Sequence, residues 1–270
     1  MSPSNFSYSS FPSSKMIHRF LILTICMTAC ISAAPVEEEC DKLLLQSDNC
    51  IRKAMLFGDP DARFPQTEAE IDEYCSLGEE YAKCVRSYGK CLKPFPRQVF
   101  SILIRNLKSL MRETCDTRQG KQEFMEHSKC MTKDNLSKLH RLMNKMTIHL
   151  NFVLKNTTKD QKIPFMCCSI IIGKDEMDRT VNQMCDSTSK PGSSSSARTV
   201  DYVNRLFNQA VGEAVDIGCG NKYGTEEACR QQIGSDGWTA LKDVISDANY
   251  HEQETSFLVP VVGITMELDS

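Results

Sequence analysis

Residues 67–92 read TEAEIDEYCSLGEEYAKCVRSYGKCL, and this stretch decides the fold class of the chain. Thr67 and Glu70 form a capping box, which is typical of a helix start. Apolar and cysteine side chains then recur at helical spacing as far as Cys91. On a continuous helix, the Cα atoms of Cys84 and Cys91 would lie roughly 10 Å apart. A disulfide needs Cα atoms less than about 7 Å apart, so each of these cysteines must reach a different segment.

Cysteine usage over the whole chain indicates a disulfide framework. Of the 14 cysteines in 270 residues, Cys26 and Cys30 lie inside an apparent secretion signal, which leaves an even number. An even set of cysteines downstream of a signal is typical of disulfides in an oxidising compartment. Cys167 and Cys168 are adjacent, so each is expected to reach a different helix, but the pairing itself stays open. The predicted disulfide cysteines are Cys40, Cys50, Cys75, Cys84, Cys91, Cys115, Cys130, Cys167, Cys168, Cys185, Cys219 and Cys229.

Residues 1–34 are predicted to be an upstream extension followed by a signal peptide, with Met16 as the expected start. Lys15 and Arg19 make a basic region ahead of an apolar run, and small residues follow that run, as in secretory signals. The apolar run is shorter than the roughly 20 residues that a transmembrane helix needs. We therefore expect a secreted, extracellular protein without a membrane anchor.

Helical spacing of apolar residues continues along the rest of the chain and predicts an all-α fold, a disulfide-crosslinked bundle of about seven or eight helices. Residues 163–185 contain three consecutive isoleucines that could form a strand, but their length and flanks favour a helix. The apolar tail, residues 257–264, is β-prone. We expect it to form an interaction strand, a flap over an apolar groove or an ordinary segment packed on the bundle. The predicted helices cover residues 36–55, 67–92, 97–115, 122–131, 134–154, 163–185, 200–217, 225–229 and 238–244.

Composition divides the chain after the leader into three parts. Residues 35–185 form a cysteine-rich helical region, and residues 186–199 have the Ser, Pro and Gly content of a linker or loop. Residues 200–270 form a helical C-terminal region with the apolar tail. Ten of the predicted disulfide cysteines precede the linker and two follow it. Both numbers are even, so the sequence leaves open whether the chain has one domain or two.

The sequence carries no recognisable catalytic, cofactor or metal motif. It lacks a Gly-x-Ser-x-Gly elbow, a phosphate-binding Gly-rich loop, a Cys-x-x-Cys pair and a His-x-x-x-His pair on a helix. His140 and His149 are nine residues apart and lie on different sides of a predicted helix, so we expect solvated surface histidines. We predict no catalytic, cofactor-binding or metal-ligating residue. The net charge of −3 argues against a nucleic-acid partner, which needs a concentrated basic surface.

Two sequons mark candidate N-glycosylation sites in a secreted chain. They place the acceptors at Asn135, in the sequence NLS, and at Asn156, in the sequence NTT. Asn156 is the favoured site, because it lies in a polar break after a predicted helix. The sequence leaves the use of Asn135 open.

The spacing of the first cysteines is similar to that of a known family. The residues concerned are Tyr74-Cys75, Tyr81-Ala-Lys-Cys84-Val85, Lys90-Cys91-Leu92, Cys115 and Cys130, with long amphipathic helices between them. This pattern resembles arthropod secreted cysteine-rich haemolymph proteins, such as the twenty-seven-kilodalton haemolymph glycoprotein family of insects. The resemblance covers roughly residues 40–130 and continues more weakly to Cys229. The resemblance implies an extracellular glycoprotein without a defined reaction, and it carries over no catalytic residue.

The favoured function is that of a secreted, disulfide-stabilised, glycosylated and non-enzymatic extracellular protein that binds an apolar small molecule. A stripe of methionine and leucine side chains from Leu136 to Val153 could line a pocket for that molecule, although core packing is the commoner role of such a stripe. The alternative is a secreted effector or structural protein that acts through an extracellular protein partner. A secreted hydrolase is the least favoured function.

Overall fold

The structure is a computed structural model, and it describes residues 34–56, 61–186, 195–244 and 256–269. Residues 1–33 of the predicted leader and residues 187–194 of the predicted linker lie outside these ranges. The chain divides into two compact units, Met1–Lys42 and Leu43–Ser270. The candidate site described below belongs entirely to the second unit.

The regular structure of the described residues is helical throughout, without a β-strand, and the predicted all-α, disulfide-crosslinked bundle is confirmed. In the first unit, Lys42 and Glu38 form an exposed ion pair of 2.8 Å along one helix. The α-helices are α1 Ala34–Ala54, α2 Glu68–Ser87, α3 Pro94–Cys115, α4 Arg118–Ser128, α5 Lys133–Asn156, α6 Lys159–Asp186, α7 Ser195–Phe207, α8 Glu213–Cys219, α9 Glu226–Asp243 and α10 Leu258–Leu268.

Threonine side chains cap the N-termini of α2, α4, α5 and α9. Each accepts a hydrogen bond from the backbone N–H three residues further along the chain, as N-cap residues do. The capping residues are Thr67, Thr117, Thr132 and Thr225. The predicted capping box is confirmed, since the Thr67 N–H also donates to Glu70 Oε2 at 3.0 Å. These bonds satisfy backbone donors that the first turn of a helix leaves without a partner.

The helix bounds differ from the prediction after α2. The predicted single helix over residues 67–92 is too long, because α2 ends at Ser87 and a 3-10 turn, Tyr88–Cys91, follows it. Gly89 lies in that turn, and glycine weakens an α-helix by about 1 kcal/mol relative to alanine. α3 begins at Pro94, ahead of the predicted start at residue 97, and Pro94 occupies the first helical position, where its missing N–H costs nothing.

The C-terminal part also differs from the prediction. The apolar tail forms the helix α10 rather than the expected β-prone segment, because a continuous apolar run does not distinguish a buried helix from a strand. A π-helical segment, Asn208–Gly212, divides the predicted helix over residues 200–217 into α7 and α8. α9 is interrupted at Gly234, whose φ of 74° favours glycine, so its two halves correspond to the two short helices that the sequence predicts.

Disulfides join segments that are far apart in the sequence. In the described part of the second unit the bridges are Cys50–Cys84, Cys75–Cys115, Cys130–Cys185, Cys167–Cys219 and Cys168–Cys229, with sequence separations of 34 to 61. Cys40 and Cys91 are disulfide-bonded as well. Cys84 does not pair with Cys91, and the adjacent Cys167 and Cys168 reach different segments, as predicted. In the chain-entropy account, a bridge that closes such a loop contributes about 4 kcal/mol.

These five bridges fall into two sets. Cys50–Cys84 and Cys75–Cys115 tie α1, α2 and α3 together, and we call this set the N-terminal frame. The other three bridges all start from α6. They join it to Cys130, which precedes α5, to Cys219 at the end of α8 and to Cys229 on α9, and we call this set the α6 frame. None of the five joins one frame to the other, so packing must hold the two frames together.

Noncovalent contacts connect the two frames. α3 packs against the segment Asn208–Gly212 and α8, where Arg105 pairs with Glu213 at 2.5 Å, and α10 forms a further contact. α5 and α6 form the most extensive helix pair of the described residues. Val153 on α5 and Phe165 on α6 share a buried apolar cluster with Trp238 on α9, so this core draws on both sides of residues 187–194. α10 contacts α3 of the N-terminal frame and α6 of the α6 frame, as well as α5. The C-terminal helix is therefore a noncovalent link between two disulfide-linked parts.

Candidate functional site

The candidate site is the apolar groove that holds α10. Leu258 and Val262 of α10 belong to one buried cluster, and Ile264 belongs to the larger cluster centred on α5 and α6. A helix that is apolar on all sides is stable only where it is enclosed, and α10 is enclosed in this way. We define the α10 groove as the buried side chains of the first cluster outside α10, together with two that α5 contributes to the larger cluster: Val85, Tyr88, Leu92, Phe100, Ile104, Leu150 and Val153.

Gly263 sets how closely α10 approaches α5. A Cβ atom added at this position would lie 2.9 Å from both Cδ atoms of Leu154. A Cβ atom there would force the Leu154 side chain to move, so glycine lets the two helices approach without that shift.

A buried carboxylate anchors the N-terminal end of α10. Asp48 on α1 is buried, and its Oδ1 accepts a hydrogen bond from the Leu258 N–H at 2.8 Å. Ser256 Oγ accepts from the Val259 N–H at 3.1 Å. A carboxylate at this position satisfies a free backbone donor and interacts favourably with the positive end of the helix dipole. The two partners of the Asp48 bond are 210 residues apart in the sequence.

A buried cation anchors the other end. The side chain of Lys162, on α6, is only 2% exposed, and its Nζ pairs with Glu267 Oε2 of α10 at 3.1 Å. The same Nζ donates to the carbonyl oxygens of Leu154 at 2.8 Å, Thr157 at 3.3 Å and Val153 at 3.4 Å. These carbonyls lie at the C-terminal end of α5, where the helix dipole favours a positive charge. Lys162 therefore joins the ends of α5 and α10 to the beginning of α6.

The sequence analysis missed both anchors. Asp48 has no local signal, because the N–H that it accepts from lies at the far end of the chain. Lys162 has a weak local signal in the sequence, since a lysine shortly after a helix end can reach the last carbonyls of that helix. The predicted stripe from Leu136 to Val153 is mostly core, and of its members only Leu150 and Val153 belong to the cluster that includes α10.

The two histidines of α5 differ from the prediction in their exposure. His149 is 1% exposed, so the prediction of a surface histidine is wrong for this residue. Burial lowers its pKa to about 4, while the Glu176 carboxylate and the Leu241 carbonyl act in the opposite direction. Neither ring nitrogen makes a hydrogen bond of normal geometry with a described residue. His140, the other histidine expected at the surface, is partly buried.

His127 lies in a separate contact between α4 and α7. Its ring stacks on Tyr202 with 4.3 Å between the ring centroids, and its Nδ1 is 3.1 Å from Thr199 Oγ1. Burial lowers the pKa of His127. The ring therefore serves packing between two helices.

The two sequons have different surroundings. Asn135 is 6% exposed, and its Nδ2 donates to the Cys130 carbonyl at 2.7 Å and to the Met184 carbonyl at 3.5 Å. Asn156 is exposed and is the last residue of α5. A glycan is attached through the side-chain nitrogen. In Asn156 this atom donates to the Phe152 carbonyl at 3.3 Å at an exposed position, whereas in Asn135 its hydrogen bonds are buried.

Comparisons with known proteins found no match. No protein-family model, no curated protein and no solved structure is similar to this chain. Within the described ranges, no group of three or more His, Cys, Asp or Glu side chains could hold a metal ion. Among the helices of those ranges, none combines the length and the apolar character that crossing a membrane requires.

We predict that Lys162→Met lowers the free energy of unfolding by about 2–3 kcal/mol, because three carbonyls and the Glu267 carboxylate lose a buried donor. Urea denaturation of the oxidised protein measures this change. The matched control is Lys83→Met, which removes an exposed lysine and should change stability by less than about 0.5 kcal/mol. Equal effects of the two substitutions would contradict the anchoring role of Lys162.

We predict that His149 makes the fold sensitive to acid. The folded-state pKa of about 4 lies below the unfolded value of 6.5, so between these values the unfolded chain binds more protons. The contribution of neutral His149 to the free energy of unfolding is complete above pH 6.5. It is lost as the pH falls toward 4, and the loss amounts to at most about 3 kcal/mol. In urea titrations at several pH values across this window, the free energy of unfolding should fall less steeply with decreasing pH for His149→Phe than for the parent. Identical slopes would refute this prediction.

We predict a glycan on Asn156 and none on Asn135 when the chain is produced in a glycosylating secretory host. Peptide mass mapping after enzymatic deglycosylation identifies the modified asparagine. Asn156→Gln should remove the glycan mass from the secreted protein, whereas Asn135→Gln should not. A glycan found on Asn135 of the folded, secreted protein would contradict the hydrogen bonds described for that side chain.

Proposed function

We propose that this protein is a secreted binding protein without catalytic activity, and that its ligand is an apolar small molecule taken up in the α10 groove. The observation that carries the proposal is the position of α10, an apolar helix enclosed between the two frames and held by charged groups at its two ends. A site that encloses an apolar helix has the apolar lining and the few convergent polar groups that ligand sites have.

α10 can leave the groove without the opening of a disulfide. It follows Cys229, the last cysteine of the chain, and no cysteine lies within it. The frames on either side keep their own bridges when it leaves. This arrangement supports a ligand that takes the place of α10 while the frames persist.

Two further observations support the extracellular part of the proposal. Disulfides of this number form and persist in oxidising compartments. The resemblance of the cysteine spacing to the insect haemolymph glycoproteins belongs to the same proposal, since it also implies an extracellular protein.

A protein partner is the second candidate function. Large apolar side chains are exposed on α1 and α8, at Leu45 and at Ile217, which is 56% exposed. Apolar side chains of this kind occur in protein–protein contacts, although single exposed ones are common on any protein surface. The α10 groove is the larger and more enclosed apolar feature, so ligand binding is the function that we put first.

The test uses Nile red, a neutral apolar dye, with the full-length, oxidised and delipidated protein. We expect saturable binding to the parent protein and stronger binding to Ile264→Asp, because a carboxylate in the core contact of α10 favours release of this helix. The matched control is Ile217→Asp, the same change at an exposed position, which should bind dye like the parent. Far-ultraviolet circular dichroism and the absence of free thiols verify that both variants keep the fold.

Failure of the parent and of Ile264→Asp to bind the dye would overturn the proposal. An equal increase in dye affinity in Ile264→Asp and Ile217→Asp would also overturn the proposal, because dye binding would then not depend on the α10 groove.

A further inference from the structure

We infer that the ligand of the α10 groove is an amphiphilic carboxylate, such as a fatty-acid anion, whose headgroup takes the place of Glu267 at Lys162. This inference rests on the proposed function and specifies its ligand class. It is argued from three features of the structure, namely the composition of α10, the burial of Lys162 and the opposite charges at the two ends of the groove.

The first feature is the composition of α10. From Leu258 to Thr265 the helix presents an apolar body, and Glu267 follows with a carboxylate near its end. The groove is therefore occupied by an amphiphile whose single anionic group lies at one end. From Leu258 to Glu267 the helix spans roughly 14 Å, a length that an extended alkyl chain can also span. A fatty-acid anion reproduces this distribution of apolar surface and charge.

The second feature is the burial of Lys162. Its side chain is 2% exposed, whereas the Glu267 carboxylate that pairs with it is 51% exposed. A neutral ligand that replaced α10 and covered Lys162 would leave the buried ammonium group paired only with the carbonyl oxygens of Val153, Leu154 and Thr157. An uncompensated buried charge is costly. A ligand that brings its own carboxylate restores the ion pair, and a neutral ligand of the same size does not.

The third feature is the difference in charge between the two ends. The Asp48 carboxylate lies at one end of α10 and Lys162 at the other. Asp48 would repel an anionic headgroup, and Lys162 attracts it, so the headgroup has one favourable position. The half-exposed Glu267 marks the end of the groove that solvent reaches, where a hydrated carboxylate can enter without full loss of its water.

The experiment compares ligands of one chain length and different headgroups. Dodecanoate, methyl dodecanoate and dodecanol are each used to displace Nile red from the full-length, oxidised and delipidated protein. We expect dodecanoate to bind about ten- to a hundredfold more tightly than the neutral ester and alcohol, as is typical of one charge-assisted contact in a buried site.

Variants connect this preference to the ion pair. Lys162→Met should bring the affinities for dodecanoate and the ester together, whereas Lys83→Met should keep the preference of the parent. Glu267→Gln removes the carboxylate that competes inside the chain, so it should bind dodecanoate more tightly than the parent does. Glu267→Gln keeps Lys162, so it tests the inference even where Lys162→Met fails to fold.

The outcomes separate the inference from the proposed function. Displacement of Nile red by all three ligands with equal affinity would overturn the carboxylate inference and leave an apolar binding protein. A preference for dodecanoate that survives in a folded Lys162→Met would overturn the role of Lys162. Absence of Nile red binding in the parent would overturn the proposed function, and the inference with it.

Discussion

Disulfides between helices that are far apart in the sequence are the constraint on which the rest of this structure depends. They join helices whose cysteines are 34 to 61 residues apart in the sequence and so fix these helices as neighbours. They also divide the second unit into an N-terminal frame and an α6 frame, which none of the five described bridges connects. The frames are therefore joined by noncovalent contacts: α3 meets α8 through the Arg105–Glu213 ion pair, and α10 packs against both frames.

This division gives α10 its particular character. The helix packs against both frames, yet it follows the last cysteine and is attached to the rest of the structure only by the chain and by noncovalent contacts. The charges of Asp48 and Lys162 lie at its two ends, and between them the contacts are apolar. A segment held in this way has a lower cost of local opening than helices tied by disulfides, and elements that move on binding are drawn from such regions.

The sequence could predict what is encoded locally. The Thr67–Glu70 capping box and the separate partners of Cys167 and Cys168 follow from spacing and geometry, and both are found in the structure. The conformation of the tail could not be predicted, because residues 257–264 are apolar without a period. His149 was misjudged for a related reason, since α5 is enclosed almost all round near its C-terminal end and residues 147–151 are all buried there.

The candidate site could be predicted only as an apolar groove with the tail near it. Its two charged anchors depend on contacts across 105 residues, between Lys162 and Glu267, and across 210 residues, between Asp48 and Leu258. No local pattern distinguishes these side chains from other charged residues of a solvated helix. Tertiary structure alone brings a buried ammonium group to one end of an apolar helix and a buried carboxylate to the other.

Hydrogen–deuterium exchange of the full-length, oxidised protein measures whether α10 opens separately from the disulfide-linked frames. We expect the α10 amides to exchange through a local opening whose free energy is lower than that of the amides in α2 and α6. Exchange of α10 only together with α2 and α6, at the free energy of global unfolding, would contradict this expectation.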